Sequence, residues 1–167
     1  FGVSPYQFLP SELLQQPIFE QAHLAQIYPH LNSPNFYSVY PPVQQAIFCF
    51  ANFFFTDNIT ATVCLLHLVA IALDMGIIIL LLKCCHLLKK SISVVFFYAF
   101  NPMIIIELHG NLHTEITMMF FLILAIYFIL KKQHHLSAIG FSLAVGAKFL
   151  PLILLPFVLR YLWFLKG

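Results

Sequence analysis

The chain has 167 residues, of which 61% are hydrophobic and only 8% are charged, and its mean hydropathy is +0.91. A water-soluble domain normally carries about a quarter charged residues. Eight basic and six acidic side chains cannot cover the surface of a soluble body of this size. The composition therefore predicts a polytopic membrane protein, and the net charge of +2 does not indicate a nucleic-acid partner.

Residues 1–40 differ from the rest of the chain because they are rich in proline and aromatic residues and contain no long apolar run. Prolines at this density break long helices. We therefore expect short turns and extended pieces that form an exoplasmic loop on the bilayer surface. Since the chain starts at Phe1 without a methionine and stops just after an apolar run, we expect a fragment of a longer polytopic protein.

Residues 41–167 are apolar in blocks and predict an all-α, polytopic transmembrane helical bundle with re-entrant or short helices. A helix needs ~20 apolar residues to cross ~30 Å of hydrocarbon. The stretch 41–55 is short and contains Gln44, Gln45 and Asn52, so we expect a re-entrant or interfacial helix that does not cross. The predicted membrane helices are 59–82, 91–108, 114–130, 137–150 and 152–165.

Basic side chains cluster in two of the predicted connections, which are 83–90 and 131–135. Under the positive-inside rule both of these loops are cytoplasmic. The turns 56–60 and 107–114 then face the exoplasmic side together with the N-terminal loop. This assignment requires that the stretch 41–55 does not cross the membrane.

Asp74 lies deep in the predicted 59–82 span, and His67 lies seven residues earlier on the same helical face. A charged group at mid-bilayer costs roughly 2.5–3.5 kcal/mol on insertion scales, so we expect both side chains to face the bundle. They lie ~10 Å apart along the helix axis, which is too far for direct contact. Two interpretations stay open for this pair, a structural hydrogen bond between helices and a cavity-lining role.

The segment 107–115, ELHGNLHTE, combines two acids, two histidines and an asparagine at one helix–turn–helix junction. One interpretation is an ordinary polar turn, and the other is a functional cluster. His109, His113 and Glu115 carry donor atoms that zinc accepts, so a divalent cation remains an alternative cofactor. Gly110 interrupts the helical spacing of these donors, which argues against a metal site.

Lys148 follows a half-length apolar helix, and Pro151 occupies a position typical of a first helical residue. An ammonium beside free helix N–H groups forms an anion site, and phosphate is the obvious anion in a membrane. The alternative interpretation is a lysine whose charged head extends to the interface.

Short motifs occur along the chain in a characteristic order: SPY at 4–6, YPHLN at 28–32, YPP at 40–42, NP at 101–102 and AKFLP at 147–151. Asp74 in the 59–82 span and GNLHTE at 110–115 belong to the same series. In this order the motifs resemble those of the GT-C superfamily of polytopic glycosyltransferases. The nearest groups are bacterial polyprenol-phosphate-mannose-dependent mannosyltransferases and the first mannosyltransferase of glycosylphosphatidylinositol synthesis. Glu115 departs from the family pattern, in which aspartate is more common.

The resemblance implies transfer of a hexose, mannose in the nearest groups, from a polyprenyl- or dolichyl-phosphate donor to a glycan or glycolipid acceptor, with inversion at the anomeric carbon. It implies that Lys148 and His113 bind the donor phosphate. The residues expected to line the cavity are Tyr40, Asp74, Glu107, Asn111 and Glu115.

The resemblance also implies where the catalytic acid of the family lies. In the family this aspartate comes just before the SPY motif, and here that position falls upstream of Phe1. We therefore expect no catalytic residue within this chain, and we expect the chain alone to be inactive.

Two other functions compete with the enzyme. In a transporter or channel, Asp74, His67 and Glu107 would form a proton or ion path, but the polar groups concentrate at one face. A non-catalytic membrane scaffold would not need a 40-residue loop rich in Tyr, Pro and His. The predicted location is a bacterial plasma membrane with an outward-facing site. The sequon at 58–60 keeps an endoplasmic reticulum membrane with a lumenal site as the alternative.

Overall fold

The computed structural model describes residues 4–13, 27–55 and 58–164, and these ranges contain helices and turns but no strand. The all-α fold class is therefore confirmed for the described part of the chain. Sections of the predicted loop 1–40 and of the turn 56–60 lie outside the described residues. Residues 1–3 also lie outside them, and no finding tests the catalytic aspartate that the resemblance implies upstream of Phe1. The expectation that this chain contains no catalytic residue therefore stays a prediction.

In chain order the elements are α1 (Pro10–Leu13), a 3₁₀ turn (Tyr28–His30), α2 (Pro42–Phe54), α3 (Ile59–Leu87), α4 (Ser93–Ala99), α5 (Pro102–Ile104), a π-helix (Ile105–Gly110), α6 (Glu115–Leu130), α7 (His134–Ala147), a 3₁₀ helix (Leu150–Leu154) and α8 (Leu155–Phe164). Among the described residues, two helical segments are long and apolar enough to cross a membrane, Ile59–Leu87 and Ser93–Gly110. The limits of α2 and α6 lie within one residue of the stretches predicted from the sequence.

Helix α3 is longer than the sequence predicts, because it continues past the expected end of the 59–82 stretch to Leu87. It begins at a capping residue, since the Asn58 side chain accepts a hydrogen bond from the Ala61 backbone N–H at 3.0 Å. The assignment of Lys83 to a loop is wrong, because this lysine lies inside the helix. A lysine tolerates that position because its aliphatic stem can extend along the helix towards the nearby end at Leu87.

The predicted 91–108 helix is interrupted at the Asn101-Pro102 pair. Proline has no backbone N–H to continue the helical hydrogen bonds, and the Asn101 side chain caps the next turn by accepting from the Met103 N–H at 3.0 Å. The chain then widens into a π-helix that ends at Gly110. π-Helical turns occur frequently at functional sites.

The last two predicted helices, 137–150 and 152–165, have different limits in the structure. α7 begins at His134, so His134 and its neighbour lie in a helix and not in the predicted loop. Lys148 follows the end of α7 with extended backbone angles, φ −157° and ψ 139°. Pro151 lies inside the 3₁₀ helix and is not the first residue of α8.

Helix α6 packs against both α3 and α7 and forms the centre of the described helices. On the α7 side the approach is close, because a Cβ atom at Gly140 would lie 3.1 Å from the Ala125 backbone nitrogen. The Ser137 hydroxyl donates to the Ala125 carbonyl oxygen at 2.9 Å. On the α3 side the buried core cluster consists of Ala70, Ile77, Leu108 and Ile116.

Large apolar side chains remain exposed on the outer faces of these helices. Phe97 is 81% exposed and Phe53 is 79% exposed. Extended exposed apolar patches are rare on soluble monomers. The outer surface therefore suits a lipid environment, and the number of times the chain crosses the membrane stays a prediction.

The two basic connections meet at one end of the structure. Lys83 and Lys131 each place an ammonium 5.8 Å from the centre of the Tyr127 ring. We call this end, with residues 83–90 and 131–135, the basic end.

The opposite end contains the segment 107–115 and Lys148, and we call it the polar end. The start of α2 packs here, because a Cβ atom at Gly146 would lie 2.7 Å from the Val43 Cγ2 atom. Helix α2 has 13 residues and is therefore ~20 Å long. That length is shorter than the hydrocarbon thickness of ~30 Å.

Candidate functional site

Four charged or titratable side chains at the polar end form a continuous chain of contacts. The Lys148 ammonium donates to Oε1 of Glu115. Oε2 of Glu115 lies 3.0 Å from His113 Nδ1, and the other ring nitrogen, Nε2, lies 3.1 Å from Oε2 of Glu107. Only the imidazolium form of histidine can donate from both nitrogens at once. We call Glu107, His113, Glu115 and Lys148 the ionic chain.

Local backbone structure brings the ionic chain together from three elements. Glu107 lies on the π-helix, and Glu115 is the first residue of α6. Between them the chain reverses at Leu112, which has a left-handed backbone with φ 50°. The reversal is held by a hydrogen bond from the His113 backbone N–H to the Glu107 carbonyl oxygen at 3.2 Å. Lys148 joins from the position directly after α7, which packs along α6.

The ionic chain is accessible to a ligand. Between 31% and 50% of each of its side chains is exposed. Asn111 adds a neutral donor, since its Nδ2 group lies 3.3 Å from Oε2 of Glu107. The site therefore offers an ammonium, an imidazole and an amide at one accessible surface, with two carboxylates that hold them in place.

A second polar cluster lies deeper and connects α3 to the α4–π-helix segment. The Tyr98 hydroxyl donates to Oδ1 of Asp74 at 2.7 Å, and His109 Nε2 lies 3.2 Å from Oδ2 of the same carboxylate. Asp74 therefore makes hydrogen bonds between helices. His67 does not join this cluster, because its Nδ1 atom lies 3.0 Å from the Val63 carbonyl oxygen in its own helix.

The three donors that the sequence offers for zinc are divided between these two clusters. His109 faces Asp74, whereas His113 and Glu115 face each other. Within the described residues no group of three His, Cys, Asp or Glu side chains is arranged to hold a metal ion.

Tyr40 connects two of the sequence motifs in the N-terminal loop. Its carbonyl oxygen accepts a hydrogen bond from the Tyr6 hydroxyl at 2.6 Å. Its ring packs edge-on against Phe48 of α2, with 5.2 Å between the ring centres. Tyr40 therefore contacts the N-terminal loop and α2, and it is not part of the ionic chain.

Sequence reasoning missed one residue at this end, Gln44 in the first turn of α2. Gln44 is only 3% exposed, and among the described residues its Oε1 atom accepts no hydrogen bond. It lines a small cavity of about 40 Å³ together with His113 and Thr117. Such a space can hold a water molecule, which needs roughly 10–15 Å³. A glutamine in an apolar helix, two residues after the YPP motif, was the available signal.

Most of the chain matches a model of a known protein family. The model is that of the MptA_B family, described as alpha-(1->6)-mannopyranosyltransferase, N-terminal domain, and it matches residues 1–164. No curated protein and no solved structure matches the chain. The match extends over the ionic chain, the Asp74 cluster and the motifs of the N-terminal loop.

Proposed function

The chain belongs to the MptA_B family of alpha-(1->6)-mannopyranosyltransferases, and on that premise we propose that its polar end binds the phosphate of a polyprenyl-phosphate-mannose donor. The observation that carries the proposal is the ionic chain, which ends on an accessible lysine at one end of an apolar helical body. The reaction is transfer of mannose to a glycan or glycolipid acceptor at an integral-membrane site.

Lys148 is the phosphate ligand in this proposal. Its ammonium has three N–H donors, and only one of them is needed for the contact with Glu115. The side chain is 44% exposed, so the remaining donors can reach a phosphate at the surface. The departing lipid phosphate carries roughly 1.5–2 negative charges, as a phosphate monoester does near neutral pH. A cation held at that position stabilises the transition state as the charge develops.

Glu115 and His113 support this role from either side. Glu115 lies between Lys148 and His113 and contacts both. It therefore acts as a positioning residue that holds the ammonium and the imidazole at one surface. His113 is the second phosphate donor in the proposal. Because both of its ring nitrogens contact carboxylates, it can donate to a phosphate only when the contact with Glu107 opens, and half of its side chain is exposed for that exchange. Asn111 and Glu107, which contact each other at 3.3 Å, complete this accessible surface.

The stereochemistry follows from the linkage in the family description. An α-linked product formed with inversion at the anomeric carbon requires a β-linked lipid donor. The acceptor hydroxyl forms the new C–O bond at C1 and loses its proton to a base, while the bond from C1 to the phosphate oxygen breaks. The lipid phosphate leaves with that electron pair.

Donor identity is tested with the full-length protein purified in a mild detergent. We expect label to move to a mannan acceptor from β-linked polyprenyl-phosphate mannose and not from GDP-mannose, with an α-linked product by NMR. Transfer from GDP-mannose in the absence of any lipid donor would overturn the proposal. Zinc supplementation tests the divalent cation that the sequence left as an alternative cofactor, and a transfer rate that rises with zinc and falls with a chelator would support it.

The orientation in the membrane is a separate part of the proposal, with the polar end exoplasmic and the basic end cytoplasmic in a bacterial plasma membrane. The accessibility of each end is measured with a single cysteine in a cysteine-free background. Asn111→Cys marks the polar end and Leu87→Cys the basic end, since both positions are exposed. An impermeant thiol reagent should label position 111 in intact cells and position 87 only after lysis. The reverse pattern would refute this orientation.

The ion-path alternative has less support in the structure. Its three expected members do not form one path, because the His67 ring contacts the backbone of its own helix. Asp74 is bonded to Tyr98 and His109, while Glu107 turns to His113. The contacts therefore favour a site at one end of the molecule.

A further inference from the structure

The basic end has an arrangement of charges that the mannosyltransferase proposal does not use. Lys83 at the end of α3 and Lys131 after α6 approach the same Tyr127 ring, each at 5.8 Å from its centre. A ring face attracts a cation, but two ammonium groups at one ring repel each other.

No carboxylate relieves this repulsion within the described part of the chain. The ion pairs formed there involve Asp74, Glu107 and Glu115 at the other clusters, and neither Lys83 nor Lys131 takes part. The neighbouring Lys89, Lys90 and Lys132 are exposed and increase the positive potential. An anion bound near both ammonium groups would offset this repulsion.

An apolar cavity reaches the start of α7, where His134 lines it. It has a volume of about 330 Å³ and lies between α6, α7 and α8. Its apolar walls include Leu122, Ile126, Phe141 and Leu159. Ser137 also lines the cavity, but its hydroxyl already donates a hydrogen bond to the Ala125 carbonyl oxygen. A cavity of roughly 150 Å³ with aliphatic and aromatic walls is enough to bind benzene, so this one can take a segment of an alkyl chain.

The position of the cavity connects it to the cations. His134 and Ile129 line it, and both lie within three residues of Lys131 in the sequence. The wall formed by Ala138 and Ser142 continues from there along α7. A molecule with an anionic head at the basic end could therefore place an apolar tail in the cavity.

We propose that the basic end binds an anionic phospholipid, with its phosphate between Lys83 and Lys131 beside Tyr127 and one acyl chain in the cavity between α6, α7 and α8. Charge complementarity selects an anionic head, and the apolar walls select a lipid over a soluble phosphate. Basic pockets between membrane helices bind anionic headgroups in this way. The site is at the opposite end from the ionic chain and does not depend on the proposed function.

The test uses the full-length protein, delipidated in detergent and titrated with dioleoylphosphatidylglycerol or with dioleoylphosphatidylcholine. We expect phosphatidylglycerol to raise Tm by roughly 5–10 °C when its concentration is about 100 times Kd. Phosphatidylcholine should leave Tm within about 1 °C of the lipid-free value, by the same relation. Native mass spectrometry should show one retained phosphatidylglycerol.

A matched pair of double variants separates a site from general surface charge. The double variant Lys83→Gln with Lys131→Gln should abolish the selective rise in Tm. The double variant Lys89→Gln with Lys90→Gln removes the same charge from the same end of the molecule and should keep the rise in Tm. If both double variants lose the rise in Tm equally, the lipid is attracted by the overall surface charge, and the proposed site is refuted. An equal response of the wild-type protein to both lipids would overturn it as well.

The cavity is tested separately with Ala138→Phe, which fills it from α7. This variant should lose the bound lipid while all basic residues remain, and its lipid-free Tm shows whether it is folded. If it does not fold, competition replaces it, with undecaprenyl phosphate added to the phosphatidylglycerol complex of the wild-type protein. Displacement at equimolar amounts would assign the cavity to a polyprenyl chain and overturn the phospholipid proposal, whereas retained phosphatidylglycerol supports it.

Discussion

The two ends of this molecule place their charges in different ways. At the polar end, lysine, histidine and two glutamates contact one another from three different elements. At the basic end, the lysines Lys83 and Lys131 share an aromatic ring and have no carboxylate partner among the described residues. Paired charges have defined positions and can orient a substrate, whereas unpaired like charges form a region of positive potential that attracts an anion.

The largest expected effect of a single substitution is at Lys148. Lys148→Met keeps the length of the side chain and removes its charge, and it should lower mannosyl transfer roughly 100-fold, as loss of one charge-stabilising donor does. Lys148→Arg should retain more activity, although its planar group is not equivalent to an ammonium. The measurement is turnover of the lipid-linked donor by the full-length protein.

Lys132→Met is the matched control, since it removes a lysine from the basic end. It should leave turnover within about twofold, the range expected when no transition-state contact is lost. A Lys148→Met protein within threefold of the wild type would exclude Lys148 from the phosphate site.

Asp74 should be the most sensitive position for stability. Asp74→Asn replaces a carboxylate that accepts from Tyr98 and faces His109, and hydrogen bonds to charged groups contribute about 1.5–3 kcal/mol each. We expect Tm to fall by roughly 4–8 °C, the shift that corresponds to about 2 kcal/mol in a chain of this length. Thermal unfolding in detergent measures the effect.

Tyr98→Phe removes only one of these hydrogen bonds and should produce a smaller decrease in Tm. Met75→Leu is the control, because Met75 follows Asp74 in the helix and is 52% exposed. If Asp74→Asn and Met75→Leu give the same Tm, the Asp74 cluster does not stabilise the fold.

Glu115 should affect turnover less than Lys148 does. Glu115→Gln keeps the shape but weakens the contacts with Lys148 and His113, and the misplaced ammonium should lower turnover about tenfold, which corresponds to ~1.4 kcal/mol of barrier. Glu115→Asp keeps the carboxylate on a shorter side chain and should recover part of that loss. Glu12→Gln is the control, since Glu12 contacts a backbone N–H at Leu9 in the N-terminal loop.

Substitutions at the basic end should have the smallest effect on the rate of mannosyl transfer. Lys83→Gln with Lys131→Gln should change the mannosyl-transfer rate by less than about twofold in detergent without added lipid, because no contact with the transition state is removed. A tenfold loss in this assay would show that the two ends are functionally coupled, which the separation of their contacts does not predict.

Part of the fold was predictable because it depends on composition along the chain. The predicted stretch 114–130 agrees with α6 to within one residue, because an uninterrupted apolar run has clear limits at Glu115 and Lys131. The ends of α3 and α7 were predicted less well. Lys83 and His134 were assigned to loops because they are polar, but a polar side chain at the end of a helix needs only a route to solvent, not a break in the backbone.

The candidate site was predictable as a set of residues and not as a set of contacts. The polar segment 107–115 and Lys148 stand out because polar groups in an apolar chain are costly. Their pairing depends on the π-helix, on the reversal at Leu112 and on the packing of α7 along α6. Gln44 was read only as a sign that the stretch 41–55 does not cross the membrane, because its burial depends on how α2 packs against the other helices.

The sequence alone determined that the chain is helical and apolar, which polar residues are present, and which motifs resemble the glycosyltransferases. These properties depend on residue type and on short-range order. Only the tertiary structure decided that His109 turns to Asp74 while His113 turns to Glu115, and that Lys83 and Lys131 meet at Tyr127. The physical reason is that partners 33 to 35 residues apart, such as Glu115 and Lys148, meet only when whole helices pack.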